Sequence, residues 1–244
     1  MTQKKALVTG ANKGLGLEMA KQLAQQGVHV TITSRDKGRG EAAVSQLKKE
    51  GIDVEMKLLD VSFAKDVESF VKEFTTNNSS LDILINNAGI EIEGGFGGNT
   101  VTSISRAIVE TTFATNFFGL VQLTQGLLPL IQKSSAGRIV NLSSIMGSLT
   151  IHAIKGGDLW NVKPFAYDAS KTALNQFTIH LAQYLNGTSA SVVSAHPGWV
   201  KTDLGSEYAP MDVAQGAKTG VDLALAKDTS YNGKYIHMGQ ELPW

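Results

Sequence analysis

The chain has 244 residues, of which 42% are hydrophobic and 18% charged, proportions typical of a protein that buries a sizeable core. Lysine plus arginine and aspartate plus glutamate both number 22, so the net charge is zero and we expect no binding to nucleic acid or to an anionic membrane surface. Cysteine is absent, which excludes disulfides, thiolate metal sites and cysteine nucleophiles. Residues 1–4 leave no room for a signal peptide, and no apolar run is long enough to span a bilayer, so we expect a cytoplasmic protein.

The first segment with a functional pattern is KALVTGANKGLG, residues 5–16. A short apolar run is followed by Thr9, by three closely spaced glycines and then by a 3.6-residue apolar period, which predicts a strand, a tight turn and a helix. The glycines are Gly10, Gly14 and Gly16. Glycine lets the backbone approach a pyrophosphate, and the helix N-terminus offers unpaired N–H groups to it. The segment predicts the start of a dinucleotide-binding unit, with a glycine-rich turn that binds nothing as the alternative.

The second predicted strand, residues 28–33, indicates which dinucleotide is bound. In a dinucleotide-binding unit the adenosine ribose reaches the tip of this strand, where a carboxylate selects NAD and a cation pairs with the 2′-phosphate of NADP. Arg35 follows this strand, and Lys13 of the glycine loop lies on the same side, so we expect NADP. The alternative is that Arg35 is a solvated surface charge and Asp36 contacts the ribose.

Two further predicted strands end in polar residues. Residues 53–59 form the third strand, and Asp60 after it is placed either to contact the adenine amino group or simply near a helix N-terminus. Residues 81–85 are entirely apolar except for one aspartate, as in a buried parallel strand, and are followed by Asn86-Asn87-Ala88-Gly89. Small residues at that point let a ribose lie against the backbone.

The predicted helical region 101–133 contains Asn116 among apolar residues. A buried asparagine must satisfy its amide, so the spacing alone favours a structural hydrogen bond over a water held in a proton path. Residues 137–142 predict a fifth strand, which ends at Ser143 and Ser144.

The second half of the chain continues the alternation of strands and helices. We predict an inserted surface loop at about 149–164, a long helix at 165–185, a strand at 189–195 before Pro197-Gly198, a substrate lid at about 199–212, a helix at 213–226 and a strand at 234–238. The pattern predicts one α/β domain over residues 1–244: a Rossmann-type, doubly wound parallel sheet of about seven strands with helices on both faces.

Tyr167 and Lys171 are four residues apart and therefore lie on one face of their helix. A free tyrosine has a pKa of about 10, and a neighbouring ammonium and a positive nicotinamide favour the phenolate. When a carbonyl is reduced, the same phenol donates a proton to its oxygen. Ser144, at a strand end, is placed to hydrogen-bond that oxygen.

With these residues, the chain resembles the short-chain dehydrogenase/reductase family over essentially its full length. The matching residues are 9–16 (TGANKGLG), Asp60-Val61, Asn86-Asn87-Ala88-Gly89, Asn116, Ser144, Tyr167 to Lys171, Pro197-Gly198 and Thr202. The resemblance implies a catalytic centre of Ser144, Tyr167 and Lys171. It also implies that Asn116 completes a proton relay through water to Lys171, which replaces the structural preference given by spacing.

The resemblance and the glycine loop together define the expected cofactor contacts. They are Gly10, Asn12, Lys13, Gly14, Leu15, Gly16, Arg35, Asp60, Val61, Asn87, Ala88, Gly89, Tyr167, Lys171, Pro197, Gly198, Val200 and Thr202. Lys13 with Arg35 resembles the NADP-preferring branch and its carbonyl reductases, so we expect NADP(H). The five histidines show no metal-ligand spacing, and we expect no metal site.

The chain departs from the family pattern in one spacing. Ser144 and Tyr167 are 23 positions apart, more than is usual, and the excess lies at 149–164. Carbonyl reductases with an insertion there often use it to wall the substrate pocket, and it can obstruct the faces through which other members form tetramers. Monomer and homo-oligomer both remain open. The choice between Ser143 and Ser144 as the catalytic serine is open as well, and we take Ser144 because Gly147 follows it at the family's spacing.

These observations favour NADPH-dependent reduction of a small-molecule ketone or aldehyde. The expected pocket is apolar, which favours a substrate with a bulky or aromatic group. The candidate pocket residues are Phe96, Met146, Leu149, Trp160, Trp199 and Tyr208. The alternative function is an NADP(H)-binding regulatory protein of the same fold without catalysis. Elimination chemistry without a cofactor is disfavoured by the intact glycine loop and Lys171.

Overall fold

The structure is a computed structural model that describes residues 3–94 and 101–244. The strands are β1 (Lys5–Val8), β2 (His29–Ser34), β3 (Glu55–Leu58), β4 (Ile83–Asn86), β5 (Arg138–Leu142), β6 (Ser191–Ala195), β7 (Tyr235–His237) and β8 (Gln240–Glu241). The α-helices are α1 (Gly14–Gln25), α2 (Lys37–Lys49), α3 (Ala64–Asn77), α4 (Arg106–Phe113), α5 (Gly119–Gln132), α6 (Leu149–His152), α7 (Phe165–Tyr184) and α8 (Val213–Ala224). A π-helical segment, Ala114–Phe118, joins α4 to α5, and a 3₁₀ turn, Ile145–Gly147, follows β5.

All eight strands belong to one sheet in the order β3-β2-β1-β4-β5-β6-β7-β8. β1 to β7 are parallel, which confirms the predicted doubly wound α/β fold. The eighth strand was not predicted: it is two residues long, exposed, and pairs antiparallel with β7 through Ile236 and Glu241. The strand order reverses between β1 and β4, and ligands of such sheets bind at the carboxyl ends of the strands beside that switch point.

The sheet is buried on both faces because successive side chains of each strand alternate between two cores. In β4, Ile83 and Ile85 belong to the core that includes Met19 of α1, whereas Leu84 belongs to the core that includes Leu123 of α5. The two cores clamp the sheet and fix the positions of its carboxyl ends. Within the described ranges no helix has the length and apolar character needed to cross a membrane.

The helical region predicted at 101–133 begins at Arg106 and is continuous from there to Gln132, since α4 passes through the π-helical segment into α5. Gly119 begins α5, and a Cβ there would lie 1.7 Å from the carbonyl oxygen of Val61. Only glycine therefore allows the helix to pass so close to the loop after β3.

The two segments predicted as irregular are partly ordered. The segment 149–164 begins with α6, whose N-terminus is capped by Ser148. The backbone of Thr150 donates to the carbonyl of Trp244 at 2.9 Å, and Ser148 donates to the carbonyl of Pro243 at 2.8 Å, so residues 243–244 hold this helix in place. The segment predicted as a lid is closed at its base by a parallel bridge between Val200 and Met211.

Candidate active site

A cavity of about 1090 Å³ opens at the carboxyl ends of the strands, beside the switch point of the sheet. All eighteen predicted cofactor contacts line it, together with Ser144. Asn116, the remaining predicted site residue, lies behind the wall and is completely buried. The fold therefore brings residues from all parts of the chain to one cleft.

The glycine loop and the loop after β4 are bonded to each other at the floor of the cleft. The hydroxyl of Thr9 accepts hydrogen bonds from the backbone N–H groups of Asn87 and Ala88, both at 3.0 Å. The amide of Asn87 donates back to the carbonyl of Thr9 at 2.8 Å. Gly10, with φ of 60°, lies so close that a Cβ would be 2.9 Å from the Cα of Ala88. This contact requires glycine on both steric and conformational grounds.

The N-terminus of α1 is suited to a pyrophosphate. Lys13 is its N-cap residue and makes no capping hydrogen bond with its side chain, and no acidic residue lies in the first turn. The backbone turns into the helix at Gly14, with φ of 57°, where a Cβ would have the Thr202 methyl group as its nearest neighbour, at 3.7 Å. Unpaired N–H groups and the helix dipole favour an anion at such an end. The residues present therefore fit the diphosphate of a dinucleotide.

Basic side chains line the far end of the cleft, where the adenosine would lie. Arg35 and Arg39 both line the cavity, and the Lys13 ammonium pairs with Asp203 of the 199–212 segment. Asp36, the alternative ribose ligand, caps α2 by accepting from the backbone N–H of Arg39 at 2.8 Å. We did not predict Arg39 from the sequence, although its position four residues after Arg35, in the first turn of α2, was a usable signal.

Asp60 shapes the turn after β3. Its Oδ1 accepts from the backbone N–H of Ser62 at 2.9 Å and from the Ser62 hydroxyl at 2.6 Å. Asp60 and Val61 both line the cleft. The predicted contact between Asp60 and adenine stays a prediction.

Tyr167 and Lys171 project from the first two turns of α7 into the buried end of the cleft. Their residues are only 7% and 4% exposed. The Lys171 Nζ donates to the carbonyl of Leu142 at the end of β5, at 2.8 Å, and lies 5.6 Å from the centre of the Tyr167 ring. A Cβ on Gly147 would lie 2.8 Å from the Lys171 carbonyl carbon, so glycine is needed for the 3₁₀ turn to pack against α7.

Burial shifts the pKa values of these two groups in opposite directions. It raises the pKa of Tyr167 to about 12; a hydrogen bond with Ser144 opposes the rise, and the carboxylates of Asp168 and Glu91 add to it. Burial lowers the pKa of Lys171 to about 8. Loss of hydration disfavours the charged form of each group. At neutral pH the site therefore holds a phenol beside an ammonium.

The two serines after β5 face different hydroxyls. Ser144 hydrogen-bonds Tyr167, and its Oγ also accepts from the backbone N–H of Met146 at 3.3 Å. Ser143 faces Tyr235 on β7, where its hydroxyl opposes the rise in the Tyr235 pKa that burial causes. Ser144 is thus the serine that shares a site with Tyr167.

Asn116 uses its side chain to hold the loop after β4. Its amide donates to the carbonyl of Ile90 at 2.9 Å and to the Ser170 hydroxyl at 3.0 Å, while its Oδ1 accepts from the Ile90 N–H at 2.8 Å. Across Gly89 it lies beside Lys171: a Cβ on Gly89 would be 3.4 Å from the Lys171 Nζ and 3.5 Å from the Asn116 Oδ1. The structural role that spacing favoured is therefore present, and the relay through water stays a prediction.

The predicted pocket wall is only partly correct. Met146 and Trp199 line the cleft, but three other candidates are exposed and do not line it: Leu149, Trp160 and Tyr208. Phe96 lies outside the described residues. The apolar lining comes instead from Ile92, Ile145, Leu159, Val162, Pro164 and Leu204. Side-chain direction in an irregular segment has no period, and the sequence therefore did not reveal these residues.

A parallel sheet with a glycine loop, and a Tyr-Lys pair in the same cleft, define an oxidoreductase that uses a nicotinamide dinucleotide. A sequence profile of short chain dehydrogenases matches residues 4–212. The chain belongs to the short-chain dehydrogenase/reductase family, as the sequence motifs predicted, and is an oxidoreductase of alcohol and carbonyl groups.

Known proteins resemble the chain over nearly its whole length. Mouse retinol dehydrogenase 12 is 34% identical over an alignment 251 residues long, gaps included. The alignment covers 96% of this chain and 77% of that protein. The NADPH-bound carbonyl reductase from chicken fatty liver superposes with a TM-score of 0.86 at 25% identity, over 100% of both chains. The carbonyl reductase Sniffer of D. melanogaster gives a TM-score of 0.85 at 28% identity, also over 100% of both chains.

The burial of Lys171 predicts how stability changes with pH. The folded state releases the lysine proton as pH rises through about 8, whereas the unfolded chain keeps it up to the ordinary pKa of 10.5. The unfolded state then binds more protons, so the unfolding free energy of the wild type should rise relative to that of Lys171→Met by about 2 kcal/mol between about pH 7 and 9.5. Urea denaturation of both proteins at both pH values measures this difference. If the difference in unfolding free energy between the two proteins were the same at both pH values, the lowered pKa of Lys171 would be contradicted.

Proposed function

We propose that the protein reduces ketones or aldehydes to alcohols, with NADPH as the hydride donor and Tyr167 as the proton donor. The observation that carries the proposal is the position of the Tyr167 hydroxyl, which lies at the buried end of the dinucleotide cleft, is hydrogen-bonded with Ser144 and has Lys171 beside its ring. A phenol that keeps its proton at neutral pH is suited to donate it to a carbonyl oxygen.

A nicotinamide dinucleotide held in this cleft would supply the hydride to the carbonyl carbon. The N-terminus of α1 and the glycine loop bind the pyrophosphate, and the Ser144 and Tyr167 hydroxyls donate hydrogen bonds to the substrate oxygen. As negative charge develops on that oxygen, the proton moves to it from the Tyr167 Oη. The Lys171 ammonium, 5.6 Å from the centre of the Tyr167 ring at a site largely removed from water, is placed to stabilise the phenolate.

Three observations support NADPH over NADH. Arg35 and Arg39 line the adenosine end of the cleft, with Lys13 nearby in the glycine loop. The Asp36 carboxylate caps α2. The structural neighbour from chicken fatty liver was solved with NADPH bound. Guanidinium groups bind phosphate through charge-assisted hydrogen bonds, which favours the cofactor that carries a 2′-phosphate.

The lining of the cleft near Tyr167 supports a bulky carbonyl substrate. Apolar side chains reach this part of the cleft from the loop after β4, from the 3₁₀ turn, from the 149–164 segment and from the 199–212 segment. Burial of apolar surface stabilises a bound ligand by about 25 cal/mol per Å². Bulky or aromatic ketones and aldehydes are therefore the substrates that we would test first.

Tyr167→Phe tests the chemistry. Loss of the proton donor should lower kcat for an aryl ketone or aldehyde by about 100- to 10,000-fold, while the dissociation constant of NADPH, measured by fluorescence, changes little. Tyr184→Phe is the matched control, since Tyr184 is an exposed tyrosine on the same helix, and should keep wild-type activity. Equal turnover by wild type and Tyr167→Phe would contradict the role of Tyr167. Tight NADPH binding without turnover of any carbonyl would favour a regulatory protein.

Arg35→Asp tests the choice of cofactor. Replacing the cation with a carboxylate removes the partner of the 2′-phosphate and adds repulsion, so the NADPH dissociation constant should rise about tenfold or more. The NADH dissociation constant should change far less, which makes NADH the internal control. Arg106→Asp, at an exposed arginine of α4 away from the cleft, should leave both unchanged. Equal losses of NADPH and NADH affinity would show that Arg35 does not contact the 2′-phosphate.

A further inference from the structure

The helix that carries Tyr167 begins without a cap of its own. Pro164 is the N-cap residue of α7 and makes no capping hydrogen bond with its side chain. The N–H groups in the first turn of a helix have no partner within the helix. Tyr167 is the third residue of α7, so its own backbone N–H is one of these groups, and it is buried.

A carboxylate from a distant loop supplies the missing partner. Glu93, in the loop after β4, is 3% exposed, and its Oε1 accepts from the Tyr167 backbone N–H at 2.8 Å. The two residues are 74 positions apart. Negative charge at a helix N-terminus is stabilised by the helix dipole, and a hydrogen bond to a charged acceptor is stronger than a neutral one.

A second carboxyl group, that of Asp168, lies near Glu93 at the start of α7. Burial raises the pKa of Asp168 to about 8, with further increases from Glu93 and Glu91 and an opposing effect from Lys163. Asp168 Oδ2 lies 3.3 Å from His152 Nε2, which is itself 2.9 Å from the Met146 carbonyl. At neutral pH Asp168 is therefore mostly protonated. The partner of the Tyr167 N–H is the Glu93 Oε1.

We propose that Glu93 is a positioning residue for the reaction. By bonding to the backbone of Tyr167 itself, it fixes the first turn of α7 and so holds the Tyr167 hydroxyl against Ser144 and the substrate oxygen. The proposal rests on the proposed reductase function. It adds a residue that touches neither substrate nor cofactor and acts through Tyr167.

Loss of the contact between Glu93 and Tyr167 should lower the rate of turnover but leave cofactor binding unchanged. Without an acceptor at position 93, the buried N–H loses its partner and the first turn of α7 is free to shift. A misplacement of about 1 Å of a catalytic group can lower a rate by about 100-fold. The glycine loop and the arginines of the adenosine end do not depend on this turn, so the affinity for NADPH should be retained.

Three variants at position 93 separate the acceptor from the volume of the side chain. Glu93→Met fills a similar volume without an acceptor, Glu93→Gln keeps an acceptor oxygen, and Glu93→Asp keeps the carboxyl group but withdraws it from the helix. Ser105→Ala is the matched control, because it removes the cap of another helix, α4, where Ser105 accepts from the Ile108 N–H. For each folded variant, kcat and KM for an aryl aldehyde and the NADPH dissociation constant are measured, and Glu93→Met is also combined with Tyr167→Phe.

We expect Glu93→Met to lower kcat about tenfold or more, Glu93→Asp to lower it by less, and Glu93→Gln to stay within about threefold of wild type. The NADPH dissociation constant should stay within about twofold throughout, and Ser105→Ala should match wild type. In the Tyr167→Phe background Glu93→Met should cause no further loss of kcat, because both changes act through the Tyr167 hydroxyl. Should Glu93→Met not fold, the Asp and Gln variants carry the same comparison.

Three results would overturn the inference while leaving the reductase function intact: wild-type kcat in Glu93→Met and Glu93→Asp, an equal loss in the Gln and Met variants, or the same loss in the presence and absence of the Tyr167 hydroxyl. A wild-type protein that binds NADPH but reduces no carbonyl would instead overturn the proposed function, and this inference with it.

Discussion

The site depends on one constraint: the Lys171 ammonium is buried beside Tyr167. Its Nζ donates to the Leu142 carbonyl at the end of β5, and the 3₁₀ turn packs through Gly147 against the backbone of Lys171. The loss of hydration that keeps Tyr167 protonated also brings the pKa of Lys171 down to about 8. A proton donor and a cation that stabilises its conjugate base therefore occupy one buried site at neutral pH.

A buried chain of polar side chains holds the strands that deliver these groups. Asn86 at the end of β4 donates to Thr124 of α5 at 2.9 Å and to Asn141 of β5 at 2.8 Å, and Asn141 donates to Thr178 of α7 at 2.9 Å. Ser194 of β6 completes the chain by donating to Thr178 at 2.9 Å. Buried polar groups need such partners, and hydrogen bonds of this kind favour one arrangement of the elements that they join. The carboxyl ends of three strands are thereby fixed relative to the catalytic helix.

Sequence patterns predicted what is encoded locally. The glycine loop, the alternation of strands and helices and the Tyr-Lys spacing all depend on neighbours within a few residues, and the structure brings Tyr167, Lys171 and Ser144 to one cleft as expected. The two-residue strand β8 was missed because it is too short to show a period. The contact between Glu93 and Tyr167 could not be predicted either, because it joins a loop and a helix that are distant in the sequence. The pocket wall came from different residues of 149–164 than those expected, because side-chain direction in an irregular segment has no period.

Isotope transfer tests most directly whether this cleft moves a hydride from NADPH to a carbonyl carbon. The measurement is NMR or mass spectrometry of the alcohol formed from an aryl aldehyde with NADPH in which both hydrogens at C4 of the nicotinamide are deuterium, and with unlabelled NADPH in D₂O. We predict that the carbinol carbon takes deuterium from the labelled cofactor and none from D₂O, since the solvent-derived proton goes only to oxygen through Tyr167. Deuterium on carbon from D₂O, or none from the cofactor, would contradict direct transfer.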